Sequence, residues 1–148
     1  VISIDTNLLF YALNEDSPAH ESAYAWLASL HGNENVAVSE FILAELYGLL
    51  RNPVVLKRPL DADEAAEVIH TYRRHPRWRL IGFPVESRSL HDSLWKTASR
   101  KGFAFRRLYD ARSALTMITQ GVTEFATSNV KDFEGLGFKK VWNPLVGR

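Results

Sequence analysis

Val1-Ile2-Ser3-Ile4-Asp5-Thr6-Asn7 decides how this chain is read. A short β-branched run that breaks at once into polar turn residues reads as a buried strand of an α/β protein. The carboxylate of Asp5 then stands at the carboxyl end of that strand, where open parallel sheets place their binding crevice.

Outward from this stretch, strands and helices alternate. Leu8 to Leu13 reads as a short helix. Ser17-Pro18 is expected to open a second, with serine as cap and proline at the first helical position. Its apolar face is Ala23, Trp26, Leu27 and Leu30, and His31-Gly32 stops it. Val36-Ala37-Val38 is a second strand. Ser39 caps a helix that is apolar nearly all round, and Asn52-Pro53 ends it. Asp61 and Glu64 form a capping-box pattern before Ala65, Val68, Ile69 and Tyr72. Trp78 to Phe83 reads as strand three, Ser87 to Lys101 as a helix stopped by Gly102, and Tyr109 to Gln120 as a helix stopped by Gly121. Glu124 to Thr127 is strand four, and Val141-Trp142 a short fifth. This alternation predicts an α/β fold with a mainly parallel sheet.

The 148 residues are expected to form one domain, 1–148. A hydrophobic fraction of 46% and a charged fraction of 24% are ordinary for a globular domain. No apolar run reaches the roughly 18 residues of a membrane span, and no signal-peptide layout is present. The chain opens on Val1, as expected if an initiator methionine is removed or left out. The absence of cysteine excludes disulfides and thiolate metal sites and points to the cytoplasm. Net charge, +1, says little about partners, but its distribution says more. Arg73, Arg74, Arg77 and Arg79 gather around His75 and Trp78, and Arg100, Lys101, Arg106 and Arg107 precede Asp110.

Four positions join Asp5 in a pattern. Glu45 lies in the apolar helix after strand two, crowded by Leu43, Ala44, Leu46 and Tyr47. Asp110 starts the helix leading into strand four. Asn129, with Asp132 behind it, follows strand four. If strand one lies between strands two and four, all meet at one sheet edge. Carboxylates held together repel and raise one another's pKa, a cost that bound Mg²⁺ or Mn²⁺ removes. The histidines show no ligand spacing that would favour zinc. Such a site suits phosphodiester hydrolysis. Each acid also has a plain reading. Asp5 and Asp110 fit helix caps, Asp132 fits a cap of its own turn, and Glu40 fits a first-turn acid favoured by the helix dipole. A third possibility, a phospho-acceptor or Asp-nucleophile α/β protein, would want a second aspartate where Asn7 stands.

In order and spacing, Ile4-Asp5-Thr6-Asn7, Ser39 to Leu46, Tyr109 to Ala114, Ala126 to Phe133 and Trp142-Asn143-Pro144 resemble the PIN-domain nucleases, and within them the VapC-type ribonuclease toxins of toxin–antitoxin modules. The resemblance implies a three-layer sandwich with strand order 3-2-1-4-5 and helices on both faces. It implies Mg²⁺- or Mn²⁺-dependent cleavage of RNA, a cognate antitoxin, and a homodimer or toxin–antitoxin hetero-oligomer. By family pattern, Asp5, Glu45 and Asp110 are catalytic and hold the metal. Asn129 takes the place of a fourth acid, a departure for which Asp132 is the substitute. Thr6, Asn7, Arg106, Arg107, Arg112, Ser113 and Thr127 are the expected substrate contacts. Arg112 and Ser113 also depart from the family's usual apolar residues. A catalytically weakened binding module of the same fold is the alternative. The apolar residues beside Asp5, namely Phe10, Tyr11 and Leu13, are the expected antitoxin surface.

Overall fold

The computed structural model describes residues 1–146. Five strands pair in the order β3-β2-β1-β4-β5: β1 (Ile2–Ile4), β2 (Val36–Ser39), β3 (Arg79–Ile81), β4 (Glu124–Ala126) and β5 (Lys140–Trp142). Every pairing is parallel, so every connection must cross over, and helices make the crossings. They are α1 (Thr6–Leu13), α2 (His20–Ser29), α3 (Glu40–Leu50), α4 (Ala62–Arg73), α5 (Ser87–Ala98), α6 (Leu108–Thr119) and α7 (Val130–Phe133).

The chain winds from β1 through β2 to β3, then returns across the sheet to β4. Right-handed crossovers therefore place the helices before β3 on one face and those after it on the other. The packing agrees: α1 lies against α2 and α3, and α3 against α4, whereas α5 and α7 pack on α6. The winding reverses beside β1, between β1 and β4, which makes the carboxyl ends of these two strands the switch point. Ile4, Val36, Val38, Ile81, Phe125 and Ala126 are buried between the helices. Burial on both faces explains why the strands read as apolar runs rather than alternating ones.

Local chemistry sets most boundaries. Ser39 caps α3 by accepting from the Phe41 amide at 3.2 Å. Glu64 closes the capping box of α4 by accepting from the Asp61 amide at 3.1 Å. Gly121, at φ +97°, provides the left-handed residue just past α6. β3 spans only Arg79–Ile81, within the expected Trp78 to Phe83, and three helix boundaries also differ from expectation. α1 begins at Thr6 because Asp5 itself is its cap, accepting from the Thr6 amide. Ser17-Pro18 forms a turn in which the Ser17 carbonyl accepts from the His20 amide at 3.0 Å, and α2 starts only there. α5 ends at Ala98 rather than Lys101, because the Ser99 hydroxyl turns back onto the Lys96 carbonyl at 2.8 Å and offers the backbone an alternative. Among the described residues no helix is long and apolar enough to cross a membrane.

Candidate active site at the sheet switch point

Asp5 leaves β1 at the switch point and is only 5% exposed. Its amide donates to the Ala126 carbonyl at 2.9 Å, continuing the β1–β4 pairing one residue beyond the strand. Oδ1 accepts from the Thr6 amide at 2.8 Å, and Oδ2 accepts from the Thr127 hydroxyl at 2.6 Å. Burial nonetheless pushes the Asp5 carboxyl up to about 6; the two hydrogen bonds oppose the shift, and the nearby Glu45 and Asp110 charges add to it.

Thr127 follows β4 and is fully buried. Its hydroxyl accepts from the Asn129 amide at 2.9 Å while donating to Asp5, so one side chain ties the turn after β4 to the end of β1. Thr6, also buried, donates its hydroxyl to Glu45 Oε2 at 2.9 Å, linking α1 to α3. Asn7 donates to the Ser128 hydroxyl at a longer 3.4 Å. Of the expected substrate contacts, Thr6 and Thr127 thus spend their hydroxyls holding acids in place.

Asp110 is the third residue of α6 and half-buried. Burial raises its carboxyl above the ordinary value, as do the charges of Glu45 and Asp132, while Arg107 pulls it down. Glu45 and Asp110 therefore lie within electrostatic reach of Asp5, and Asp132 within reach of Asp110, although the four come from separate segments. Glu45 is exposed rather than crowded by its apolar neighbours. Of those neighbours Leu43 and Leu46 face the core while Ala44 is exposed with Glu45, and the Thr6 hydroxyl holds the Glu45 carboxylate. Asn129 is exposed, and its amide supports Thr127. Among the described residues, no three histidine, cysteine, aspartate or glutamate side chains stand close enough to form a ready-made ion cage. The acids are drawn into one neighbourhood but not onto one point.

The basic residues divide. The Arg107 guanidinium donates to the Asp132 carbonyl at 3.0 Å and the Glu134 carbonyl at 3.1 Å, and lies 5.9 Å from the centre of the Phe103 ring. It fastens the end of α7 beside Asp110 instead of reaching outward. Arg106 is exposed. Arg73 pairs with Glu40 at 3.0 Å, and Arg77 with Glu34 at 2.6 Å, so much of the first basic cluster is spent in ion pairs. Arg112 lies 5.7 Å from the Phe41 ring centre and 5.3 Å from that of Tyr109. Ser113 is 7% exposed, and its hydroxyl has no hydrogen-bond partner. The aromatic setting of Arg112 escaped the sequence reading. Phe41, Phe83 and Tyr109 lie far apart in the chain, and no periodicity links them.

The expected antitoxin surface is corrected at one residue. Phe10 is 8% exposed and part of the core, so it presents no face to a partner. Leu13, on the same helix, is exposed and opens onto an apolar groove of about 600 Å³ shared with Tyr24, Leu27, Val68, Tyr72 and Trp78.

Comparison with known proteins agrees with this geometry. Residues 2–139 match the family model described as the PIN domain. The chain is 48% identical over 146 residues to a protein named Ribonuclease VapC24 from Mycobacterium tuberculosis, covering 99% of this chain and 98% of that one. Among solved structures, VapC20 of Mycobacterium tuberculosis, a sarcin–ricin-loop-cleaving toxin, superposes with a TM-score of 0.66 at 22% identity, covering 93% of this chain and 96% of that one. VapBC2 from Rickettsia felis, bound to a DNA fragment from its promoter, gives 0.66 at 21% identity, covering 96% and 97%.

Proposed function

The chain belongs to the PIN-domain family, and from that premise we propose that it is an endoribonuclease toxin of the VapC type, dependent on Mg²⁺ or Mn²⁺ and silenced by a cognate antitoxin. The observation that carries this reading is the 48% identity to Ribonuclease VapC24 along nearly the whole of both chains. The gathering of acids at the switch point supports it independently.

The donor set suits a hard divalent cation. Every candidate ligand is an oxygen, and the raised Asp5 and Asp110 carboxyls mark a cluster whose repulsion a cation relieves. Asp5, Asp110 and Glu45 would hold it, with Asn129 and Asp132 at the margin. When bound, such an ion supplies a more acidic water and a counter-charge for the departing oxygen. The protein's own part is orientation. Thr127 and the Thr6 amide fix both oxygens of Asp5, and the Thr6 hydroxyl fixes Glu45. Asn7, Arg106 and Arg112 flank the acids as substrate contacts. Arg106 is exposed and free to meet phosphate, whereas the Ser113 hydroxyl, expected to join them, is buried inside α6's packed face.

The antitoxin lays an apolar helix into the groove of Leu13, Tyr24, Leu27, Val68, Tyr72 and Trp78. That the fold is found in a VapBC assembly supports this choice of occupant. One observation favours the weakened-module alternative: the fourth acid position is the exposed, neutral Asn129. Incubating the purified protein with a mixed RNA separates the two. Degradation that needs Mg²⁺ or Mn²⁺ and stops with EDTA supports the nuclease. Intact RNA at every metal concentration, or cleavage that continues in EDTA, overturns it.

A further inference from the structure

A second cleft, of about 340 Å³, opens between α3, α5 and α6, lined by Phe41, Phe83, Pro84, Ser87, His91 and Arg112 among others. It lies at the small end of the ~300–1,000 Å³ range of ligand pockets, so it suits one planar ring system rather than an extended ligand. Phe41 precedes Glu45 by one helical turn on the same face of α3, so along this helix the cleft lies one turn from that acid, whereas Arg112, two residues past Asp110 on α6, points away from it.

Its walls are unusual for a surface pocket. Phe83 meets Phe41 edge to face, with ring centres 5.1 Å apart, yet remains 83% exposed. The Arg112 guanidinium lies over Phe41 and over Tyr109, itself 69% exposed. Among the described residues no carboxylate comes within ion-pair distance of Arg112. Its charge is therefore left to attract an anion, and its plane to stack. At the rim, His91 Nδ1 lies 2.7 Å from the Ser87 carbonyl. A carbonyl only accepts, so Nδ1 carries the proton and Nε2 offers a lone pair. An exposed flat aromatic ring, an unpaired guanidinium and an acceptor at the edge are components by which proteins hold unpaired bases.

We infer that this cleft receives one unpaired nucleobase of the RNA, stacked on Phe83 and Arg112 with its edge read by His91, and so makes RNA binding depend on base identity. The inference rests on the ribonuclease reading for its substrate, and binding measured without metal tests it separately from cleavage. Fluorescently labelled single-stranded oligonucleotides of about ten nucleotides, made of A, of C, of U or of abasic ribose, are titrated with the protein in EDTA and followed by anisotropy.

The wild-type chain should prefer one base and bind the abasic strand weakest. Phe83→Ala, at a position so exposed that the core is untouched, should weaken binding of the preferred strand by about 5- to 150-fold, the loss expected for one stacked base. It should leave the abasic strand and the salt dependence unchanged. Arg112→Lys should lose much of the base preference while keeping the charge. His91→Ala should flatten the choice among bases and keep the advantage over the abasic strand. Equal affinity for abasic and base-bearing strands overturns the inference. So does a Phe83→Ala variant that binds as the wild type does, or one that changes only its own oligomeric mass, which would assign the cleft to a second copy of the chain. Base-dependent binding without metal-dependent cleavage removes the nuclease reading and leaves the pocket standing. The reverse removes the pocket alone.

Discussion

Replacing Asp5 with asparagine should remove one distinct component of the pH dependence of stability. The folded carboxyl is raised from an ordinary 3.8 to about 6. A folded value above the unfolded one contributes stability that is fully present below pH 3.8 and is lost as pH rises through 6. At about 1.4 kcal/mol per pKa unit, the shift corresponds to about 3 kcal/mol, most of it lost between pH 4 and pH 7. Asp5 is almost wholly buried, so little of this is screened by solvent. The substituted asparagine would carry no such penalty, but its amide NH₂ would face one of two donors, the Thr6 amide or the Thr127 hydroxyl. Leaving a buried donor unpaired costs about 1–3 kcal/mol. The metal-free variant should therefore be less stable than the wild type near pH 4, then draw level with it or pass it by pH 7.5. Urea unfolding in EDTA at half-unit pH steps measures this, and the quantity to follow is the difference between the two proteins. Other carboxylates titrate in both and cancel. The difference should rise by about 3 kcal/mol between the unfolded and folded values, half of it by about pH 5, and level off above pH 6. A difference that stays constant across the range, or falls, would mean that Asp5 ionises normally, and the account of a strained, metal-ready carboxylate would be refuted.

Arg106→Ala should lower the slope of log affinity against log salt for RNA by about one contact's worth, roughly 0.7 for a single strand. Arg107→Ala should instead lower the melting temperature, because it releases two main-chain carbonyls at the end of α7; a normal melting temperature with a reduced salt slope would restore the phosphate role. Asn129→Asp should tighten Mg²⁺ or Mn²⁺ binding, and Asp132→Ala should weaken it, less so when Asn129→Asp is present. Calorimetric titration of the four proteins forms a double-mutant cycle, and strictly additive effects would show that Asp132 does not stand in for the missing acid. Tyr24→Ser combined with Leu13→Ser, both exposed positions, should weaken inhibition by the antitoxin at least tenfold, a loss of about 1.4 kcal/mol, without changing the fold. Full inhibition at equal concentration would move the antitoxin elsewhere.

The sheet was legible because its strands are buried on both faces and its helices announce their ends. Val36-Ala37-Val38 can only be a core strand, and Ser39, Asp61 with Glu64, and Gly121 mark helix boundaries by chemistry that acts within four residues. The strand order came from the resemblance, since nothing local in Ile2-Ser3-Ile4 says which neighbours it takes. At the candidate site the identity of the acids was legible and their setting was not. Glu45 looked buried from its neighbours in sequence, yet helical geometry turns Leu43 and Leu46 inward and leaves Glu45 outside. Phe10 looked available beside Asp5 and instead fills the core. Thr127 was marked for its place after strand four, but its hydrogen bond spans 122 residues of chain. Pairings of that kind depend on the completed topology.

The return of the chain across the sheet has a consequence for synthesis. Asp5 leaves the ribosome well ahead of Asp110 and Thr127, which complete its surroundings. At roughly 5–20 residues per second, several seconds separate them. Throughout that interval β1 lacks its β4 neighbour, so the innermost strand of the finished protein has an open edge while the chain is being made. A nascent or prematurely terminated chain therefore holds Asp5 and Glu45 without the segment that brings them their third acid. In a nuclease assembled this way the acids come together only once the second half of the fold has been made, and an antitoxin has that interval in which to be waiting.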